Sequence, residues 1–410
     1  MPRCAAAAMH MLPTDSELNY VLGSPDEFCA WPLQPCSVPV RSFLSCLSVQ
    51  LLADKASTSM PDVVSFAWWC RKANLERLSQ AYDDGIIRLG RGVAFHVTPA
   101  NMPVNFAFSW AFSLLAGNAN VVRLPTRDFR QIPFLLGHVT QVLVQPEFRC
   151  LRTMNAFVAY KKKKEITAAF SAVADVRMIW GGDATIAAIR QAALPARGVD
   201  VCFADRYSFC VLGAAEVLEL APPGLARLAG RFFNDAYIMD QNACSSPHMV
   251  VWVGSEAEAA KAGGRFWAAV QQEIDRRYEI SAIAAMDKFT QACRDAIELD
   301  SHLAFERGDN RLYRLRLSGA FPGIESRRCH SGYFYEWVTP HLQDAAAMVT
   351  SKYQTLTYFG IPRQELARFV TSNRLPGIDR IVPVGEAMDI GSTWDGFDLI
   401  RTLSRVCDIH

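Results

Sequence analysis

The segment Asp240-Gln241-Asn242-Ala243-Cys244-Ser245-Ser246-Pro247 places one cysteine among small and polar residues. It follows a helical pattern, Pro222 to Ala236, and precedes an apolar run, Met249 to Val253, that is typical of a buried strand. Small neighbours leave room for a substrate carbon to approach sulfur, and loops held between rigid elements often carry nucleophiles. We therefore interpret Cys244 as a candidate nucleophile, with a buried structural thiol as the alternative.

The overall composition indicates a globular chain of roughly two or three domains. Of the 410 residues, 50% are hydrophobic, and the net charge of +1 gives no indication of a nucleic-acid partner. The 12 cysteines include no Cys-x-x-Cys pair and no Cys/His cluster with zinc spacing, so we predict no metal site. The chain shows no secretory signal, and its longest apolar stretch, Val104 to Ala116, is too short for a membrane span. We expect a cytoplasmic protein with reduced thiols and no integral membrane contact.

Two consecutive segments have the pattern of a parallel crossover. Val93 to Val97 reads as a strand, Val104 to Ala116 as a buried helix, and a second strand begins at Val121. Strand, helix and strand in this spacing predict a right-handed crossover. Prolines on both sides of Asn101 fix the backbone around it in the connection that leads to the helix.

A glycine turn follows another predicted strand. Asp175 to Trp180 is the strand, Gly181 and Gly182 form the turn, and Ala184 to Ala193 is the helix, with Asp183 as its expected N-cap. A strand, a glycine turn and a helix N-terminus together can receive a pyrophosphate. The alternative is an ordinary turn, because such turns are common in α/β proteins.

Shifts in pattern suggest four regions. Residues 1–64 contain several prolines and predict short strands and loops, with an edge or subunit contact as one role. Ser65 to Asp83 fits one amphipathic helix. A break between Leu212 and Pro223 separates two α/β halves, so we expect domains at 65–215 and 216–385 and a C-terminal segment at 386–410.

Four segments have the order and spacing of a known family. They are Thr98 to Pro103, Ala116 to Arg123, Trp180 to Asp183 and Asp240 to Pro247. The first two are similar to the P-x-N-x-P and A-G-N-x-V-x-x-K motifs of the aldehyde dehydrogenase superfamily, and the third takes the place of its T-G-S-T turn. The last looks like the D-Q-x-A-C-S-S-P motif of one branch. The last is most similar to the LuxC-type branch, the NADPH-dependent long-chain fatty acyl-CoA reductases of bacterial bioluminescence and related pathways. Two C-terminal segments, Tyr353-Gln354-Thr355 and Trp394-Asp395-Gly396, also look like that branch.

The resemblance implies a fold and a set of site residues. The fold would be α/β and aldehyde-dehydrogenase-like, with a Rossmann-like cofactor domain (65–215) and a catalytic cysteine domain (216–385). Cys244 would be the nucleophile, and the Asn101 amide would donate to the oxyanion beside the Cys244 N–H. Arg123 replaces a lysine that contacts the adenosine ribose; an arginine there favours the 2′-phosphate of NADPH, with NADH as the alternative. Gly181 and Gly182 would let the backbone approach the dinucleotide.

One departure from the superfamily pattern concerns the reaction. Oxidising members carry a glutamate base in an E-L-G-G-K segment that activates water, and Phe203 stands at that position here. Hydrolysis of a thioester at Cys244 should then be slow, which favours reduction of acyl thioesters over oxidation of aldehydes. The glutamate that holds the nicotinamide ribose is not identified from the sequence, and Glu325 and Glu336 are both candidates.

The sequence therefore predicts NADPH-dependent reduction of a long-chain fatty acyl-CoA or another acyl thioester to the aldehyde, through an acyl-cysteine intermediate. Two alternatives are an oxidising aldehyde dehydrogenase and a cysteine acyltransferase that needs no nicotinamide; a binding subunit with an inactive site is a third. The resemblance also implies a homo-oligomer, and as acyl donor either acyl-CoA or an acylated carrier or synthetase protein.

Overall fold

The computed structural model describes residues 12–99, 102–299 and 304–409. The chain divides into two compact units, Met1–Ala204 with Ile390–His410, and Asp205–Asp389. Each unit is built around its own sheet.

The first unit alternates strands and helices through most of its length. Its strands up to residue 204 are β1 (Asn19–Leu22), β2 (Arg88–Gly90), β3 (Val93–Val97), β4 (Ala119–Arg123), β5 (Asn155–Ala159), β6 (Val176–Trp180) and β7 (Val199–Phe203). Its helices are α1 (Val38–Ala53), α2 (Pro61–Trp69), α3 (Lys72–Gln80), α4 (Asn105–Leu115), α5 (Gln131–Leu143), α6 (Arg149–Arg152), α7 (Lys164–Ala172) and α8 (Asp183–Arg190). Short 3-10 turns lie at Lys55–Ser59 and Pro146–Phe148.

Within the described residues, the sheet of the first unit has the strand order β1-β5-β4-β3-β6-β7. Strands β3 to β7 pair in parallel, and β1 pairs with β5 in the antiparallel direction. Strand β3 is buried at all five positions, as expected for a central parallel strand covered on both faces. The predicted crossover from β3 through α4 to β4 is confirmed.

The N-terminal region contains more helix than the sequence suggested. The expectation of short strands and loops for residues 1–64 is wrong for α1, a 16-residue helix that buries Val40, Phe43, Leu44 and Leu47. Pro39 lies in the first turn, where its missing N–H costs no hydrogen bond, so this proline starts the helix instead of interrupting it.

The single helix expected for Ser65 to Asp83 is also divided in two. Helix α2 ends at Trp69 and α3 begins at Lys72. The Asn74 side chain donates to the Trp69 carbonyl at 2.7 Å, which satisfies a carbonyl at the end of α2 and stabilises the break.

The second unit has longer helices around its sheet. Its strands are β8 (Tyr207–Gly213), β9 (Pro247–Val253), β10 (Ala304–Arg307), β11 (Tyr313–Arg316), β12 (Tyr333–Thr339), β13 (Tyr353–Phe359) and β14 (Arg380–Pro383). Its helices are α9 (Ala214–Glu219), α10 (Pro222–Ala236), α11 (Glu256–Arg277), α12 (Ala282–Glu298) and α13 (Arg363–Ser372). Short 3-10 turns lie at Ile324–Arg327 and Leu342–Met348.

Within the described residues, the second sheet has the order β10-β11-β12-β9-β8-β13-β14. All neighbours pair in parallel except β10 and β11. Strand β9, which follows the cysteine segment, lies between β8 and β12 and is buried at six of its seven positions.

The C-terminal segment returns to the first unit. It forms a two-stranded sheet from β15 (Thr393–Trp394) and β16 (Phe397–Asp398), then α14 (Leu399–Thr402) and β17 (Ser404–Val406), which pairs with β2. The indole N–H of Trp69 on α2 donates to the Ile390 carbonyl at 2.9 Å, which anchors the start of this segment.

The unit boundary differs from the predicted domain boundary. The division lies at Ala204 and Asp205 instead of between Leu212 and Pro223, because β8 pairs with β9 and β13 of the second sheet. The region 1–64, predicted as a separate segment, belongs to the first unit, and the second unit extends to Asp389 instead of residue 385. None of the helices in the described parts of the chain has both the length and the apolar character needed to cross a bilayer.

Candidate functional site

The backbone before Cys244 turns sharply. Helix α10 ends at Ala236, and Asp240 and Gln241 then adopt left-handed conformations, with φ of 50° and 57°. Non-glycine residues occupy this region only when surrounding contacts compensate the strain of about 1 kcal/mol or more. One such contact is the Gln241 N–H, which donates to the Ala236 carbonyl at 2.8 Å.

The Gln241 side chain holds the loop through four hydrogen bonds. Its amide nitrogen donates to the carbonyls of Pro247 at 3.0 Å and Tyr333 at 3.1 Å. Its amide oxygen accepts from the N–H groups of Gly332 at 2.7 Å and Tyr333 at 2.9 Å. Gln241 is buried, so each of these bonds is protected from water. The glutamine of the D-Q-x-A-C-S-S-P segment thus ties the cysteine loop to the start of β12.

Cys244 itself is held by a second contact. The Ser208 hydroxyl, at the start of β8, donates to the Cys244 carbonyl at 2.6 Å and accepts from the Thr355 N–H at 3.1 Å. The Ser246 hydroxyl donates to the Asp235 carbonyl at 2.8 Å. Cys244 is half-buried, which leaves part of the residue accessible while its backbone is fixed. Ser208 was not singled out in the sequence, because a serine at a strand start carries no distinguishing pattern.

Asp235 is a further residue that the sequence did not identify. Its carboxylate accepts from the backbone N–H groups of Gly385 at 2.6 Å and Ala387 at 3.0 Å. Burial raises the pKa of Asp235 to about 7, against the lowering effect of these two donors. Asp235 thereby holds the 385–387 turn against α10 next to the cysteine segment.

His248 does not provide a positive charge for the thiol. It is buried, and burial lowers the pKa of its imidazole to about 3, so the ring is neutral at physiological pH. It stacks on Tyr207 with a centroid distance of 5.5 Å. His248 is therefore a packing residue of the second unit.

Arg123 ends β4 in the first unit. Its guanidinium lies over the Tyr160 ring at 4.4 Å and donates to the Tyr160 carbonyl at 3.5 Å, while its Nε is buried without a hydrogen-bond partner. The Thr98 hydroxyl donates to the Arg123 carbonyl at 2.8 Å. The residue as a whole is half-buried, and a guanidinium at the carboxyl end of a parallel strand is suited to bind an anion.

The glycine turn lies at the carboxyl end of β6. The Gly181 N–H donates to the Phe203 carbonyl at 3.1 Å. Gly182 is the N-cap of α8, and Asp183 lies in the first turn of the helix, so the prediction of Asp183 as N-cap is wrong. A Cβ at Gly182 would have no atom within 4 Å, so nothing in this unit requires the glycine, and the space beside it is open to a ligand.

Phe203, which the resemblance aligns with the superfamily's glutamate base, is an aromatic packing residue. It ends β7 and stacks on Trp180 with a centroid distance of 3.7 Å and an interplanar angle of 15°. The Trp180 indole N–H donates to the Ser109 hydroxyl at 2.9 Å, and Ser109 contacts His96 Nδ1 at 2.8 Å. Burial lowers the pKa of His96 to about 4, so this network is neutral and supplies no carboxylate.

The structure groups the predicted cofactor residues in one unit. Arg123 is the last residue of β4, and Gly181 and Gly182 follow β6. Strands β4 and β6 lie on either side of β3, so these residues share the carboxyl edge of one parallel sheet. Cys244 lies in the other unit. Asn101 lies outside the described residues, so its role stays a prediction.

The two candidate ribose glutamates differ in environment. The Glu336 carboxylate accepts from the indoles of Trp252 at 2.9 Å and Trp267 at 2.6 Å and from Arg314 at 3.1 Å, so it is committed to the core of the second unit. Glu325 accepts from the Thr350 hydroxyl at 2.9 Å, and its second oxygen is buried without a partner. Among the described residues, no group of three His, Cys, Asp or Glu side chains is arranged to hold a metal ion.

Comparisons with solved structures identify the fold as that of the aldehyde dehydrogenases. Aldehyde dehydrogenase 21 from Physcomitrella patens matches with a TM-score of 0.63 and 12% identity over 90% of this chain and 85% of its own. Methylmalonate-semialdehyde dehydrogenase from Oceanimonas doudoroffii matches with a TM-score of 0.63 and 12% identity, over 90% and 86%. An NAD-dependent benzaldehyde dehydrogenase from Corynebacterium glutamicum matches with a TM-score of 0.60 and 13% identity, over 91% of this chain and 85% of its own.

Within this fold, the sequence defines the branch. The family model of the acyl-CoA reductases, LuxC, matches residues 70–406, and the chain belongs to this family. It is therefore an oxidoreductase of the acyl-CoA reductase and aldehyde dehydrogenase type, and the predicted fold and family are confirmed. A search among curated proteins gave no match.

Proposed function

We propose that this protein reduces a long-chain fatty acyl-CoA, or another acyl thioester, to the aldehyde with NADPH through an acyl-Cys244 intermediate. The observation that carries the proposal is the cysteine loop, in which Gln241 and Ser208 fix the backbone around a half-buried Cys244 in a chain of the acyl-CoA reductase family. A nucleophile held in one geometry gains rate from pre-orientation.

In the first half of the reaction the Cys244 thiolate attacks the acyl carbonyl carbon. A bond forms between Sγ and that carbon, the bond to the coenzyme A sulfur breaks, and coenzyme A leaves as its thiol after taking up one proton. The Cys244 N–H and the Asn101 amide are the proposed oxyanion donors; loss of one such donor costs about 3 kcal/mol of transition-state stabilisation.

The residues of the first unit fit a dinucleotide. Arg123 presents a half-buried guanidinium at the carboxyl end of β4, and Gly182 leaves open space at the N-terminus of α8. Arg123 would hold the 2′-phosphate that distinguishes NADPH from NADH, and the glycines would admit the pyrophosphate. When bound, the cofactor supplies the hydride that reduces the acyl carbon.

In the second half of the reaction, the acyl-Cys244 thioester must be protected from hydrolysis until it is reduced. A base that activates water would work against this. Phe203 stacks on Trp180 where an oxidising relative has a carboxylate, so this position offers no group to activate water against the Cys244 thioester. After reduction, the bond between Sγ and carbon breaks, the aldehyde leaves and Cys244 returns to the thiolate. The acyl carbon is thus reduced by two electrons, and one coenzyme A is released per aldehyde.

The acyl donor, the cellular compartment and the assembly state are proposed from the family resemblance alone. The acyl group would arrive as acyl-CoA or on an acylated carrier or synthetase protein, and the enzyme would act in the cytoplasm as a homo-oligomer.

A steady-state assay tests the proposed function. Purified protein is mixed with acyl-CoAs of increasing chain length and NADPH, while loss of NADPH absorbance and trapped aldehyde are both measured. We expect NADPH consumption only with acyl-CoA, aldehyde in equal amount, no activity in Cys244→Ala, and normal activity in the control Cys293→Ala, because Cys293 is an exposed cysteine on α12. Acid production from aldehyde and NADP⁺, without reduction of any acyl-CoA, would contradict the proposal.

A further inference from the structure

Lys288 is a buried lysine on the inner side of α12 that the proposed mechanism does not use. It is 1% exposed. Its ammonium donates to three backbone carbonyls, those of Asn310 at 2.9 Å, Ser331 at 2.7 Å and Gly332 at 3.2 Å. It also lies over the Tyr313 ring at 4.7 Å from the centroid. All three hydrogens of the ammonium are therefore matched by acceptors on two loops.

The charged surroundings of Lys288 do not account for its burial. Burial lowers the pKa of Lys288 to about 7, while Cys329 and Asp309 act in the opposite direction. Cys329 is buried, and burial raises the pKa of its thiol. Burying an ammonium is costly unless it makes good hydrogen bonds, so the three carbonyls are the reason that the group is tolerated.

The turn that Lys288 holds has an unusual backbone. Ser331 and Gly332 both have left-handed conformations, with φ of 59° and 86°. A Cβ at Gly332 would lie 2.1 Å from the Arg311 carbonyl oxygen, so this position requires glycine. Two successive left-handed residues point their carbonyls at Lys288, and the ammonium stabilises that arrangement.

The other side of the same turn contacts the cysteine segment. The Ser331 N–H donates to the Asp240 carbonyl at 3.0 Å, and the Gly332 N–H donates to the Gln241 side chain at 2.7 Å. Asp240 and Gln241 are themselves left-handed. The 331–332 turn and the 240–241 turn are thus joined by hydrogen bonds. Lys288 contacts the first turn, and Cys244 lies three residues after the second.

We propose that Lys288 is a positioning residue for the Cys244 nucleophile: its ammonium fixes the 331–332 turn, the turn fixes Gln241, and Gln241 fixes the loop that presents the thiol. The inference rests on the proposed acyl transfer to Cys244. Lys288 does not touch the reacting atoms. Its effect is on the alignment of sulfur with the acyl carbon, to which rates are sensitive at the scale of 1 Å.

The test is single-turnover acylation of the full-length protein by a long-chain acyl-CoA without cofactor. The rate is measured from the coenzyme A that is released. In Lys288→Met we expect the acylation rate constant to fall at least about tenfold, while the acyl-CoA concentration that gives half the maximal rate changes less than about twofold. Lys288→Gln, which keeps two donors, should be intermediate and provides a milder variant if the methionine protein does not fold.

Asp295→Asn is the matched control. Asp295 lies on the same helix, is fully buried and accepts from the hydroxyls of Tyr333 and Tyr335; within the described parts of the chain, it makes no hydrogen bond to Ser331 or Gly332. We expect it to lower the melting temperature and to retain the acylation rate within about twofold. Equal loss of acylation in Asp295→Asn and Lys288→Gln at similar melting temperatures would overturn the positioning role, as would a wild-type rate in Lys288→Gln.

Hydrogen exchange separates this inference from the proposed function. In Lys288→Gln, amides in 237–246 and 329–334 should exchange at least about tenfold faster than in the wild type, while those of β13 stay protected. If the wild-type protein is not acylated by any acyl-CoA, the proposed function fails, and the exchange result still decides whether Lys288 holds the loop. Unchanged exchange in both segments overturns the inference.

Discussion

The side-chain amide of Gln241 pairs with both backbone polar groups of Tyr333: its nitrogen donates to the Tyr333 carbonyl at 3.1 Å, and its oxygen accepts from the Tyr333 N–H at 2.9 Å. At the start of β12, the Gln241 side chain therefore makes the pair of hydrogen bonds that the backbone of a neighbouring strand would make. The cysteine loop is therefore attached to the sheet at a residue three positions before the nucleophile.

Gln241→Glu should weaken this attachment. A carboxylate cannot donate to the carbonyls of Pro247 and Tyr333, so both hydrogen bonds are lost and a charged oxygen is buried against two acceptors. With about 1–3 kcal/mol for each such group, we expect the unfolding free energy to fall by about 3 kcal/mol, measured by denaturant titration. The control Asn242→Asp makes the same change of amide to acid at the next residue, whose hydrogen bonds to the carbonyls of Met239 and Asp240 are exposed to water, so it should cost less than about 1 kcal/mol. Similar losses in the two variants would contradict the role of Gln241.

Arg123→Ala should reduce the preference for NADPH. If Arg123 holds the 2′-phosphate, its loss should weaken NADPH binding about tenfold or more and leave NADH binding nearly unchanged, because only NADPH carries that phosphate. Titration of the cofactor by fluorescence measures both constants without turnover. Arg127→Ala, an exposed arginine after the same strand, is the control. Equal weakening of NADPH and NADH binding by Arg123→Ala would assign the arginine to another part of the dinucleotide.

Gly182→Ala should separate cofactor binding from stability. The new methyl group would meet no atom of its unit within 4 Å, and the poorer N-cap is offset by the lower entropy of the unfolded chain, so the unfolding free energy should change by less than about 1 kcal/mol. We expect NADPH affinity to fall about tenfold, because the methyl group occupies the space proposed for the pyrophosphate. Gly377→Ala is the converse control. Its Cβ would lie 2.2 Å from the Thr350 carbonyl oxygen, so this variant should have a lower unfolding free energy and an unchanged NADPH affinity. Unchanged NADPH binding in Gly182→Ala would remove this turn from the cofactor site.

His96 should make the first unit sensitive to acid. Burial lowers the pKa of His96 in the folded protein to about 4, from an ordinary value of 6.5, so the unfolded chain binds the proton first as the pH falls. The contribution of neutral His96 to the free energy of unfolding is complete above pH 6.5. As the pH falls from 6.5 to 4, this contribution is lost, which lowers the free energy of unfolding by about 3 kcal/mol in total. Unfolding of His96→Gln should show a flatter pH dependence in this range than the wild type, whereas the exposed His341→Gln should follow the wild-type curve. Parallel curves for wild type and His96→Gln would show that His96 does not remain neutral.

Parts of the fold could be predicted from the sequence because their residues form local patterns of apolar and polar positions. Helix α10 was predicted at Pro222 to Ala236 and strand β3 at Val93 to Val97, and both are confirmed, since 3.6-residue periodicity and a bounded apolar run are local signals. Helix α1 was missed because Pro39 was taken as a breaker, although proline is well accommodated in a first turn.

The supports of the candidate site were not accessible in this way. Cys244 was identified from its motif, but Gln241 contacts Tyr333 across 92 residues of sequence, and Lys288 reaches Ser331 across 43. Such pairs depend on how strands are ordered in the sheet, and a single sequence carries no signal for them. The roles of Cys244, Asn101, Arg123, Gly181 and Gly182 stay predictions until they are measured.

In the proposed reaction Cys244 carries the acyl group, and mass spectrometry of the protein after brief mixing with acyl-CoA would detect that bond. We predict a mass increase of one acyl group, located on the peptide that contains Cys244, absent in Cys244→Ala and lost as free aldehyde on addition of NADPH. An unmodified Cys244 in a protein that nevertheless reduces acyl-CoA, or an acyl group on another residue, would contradict the account.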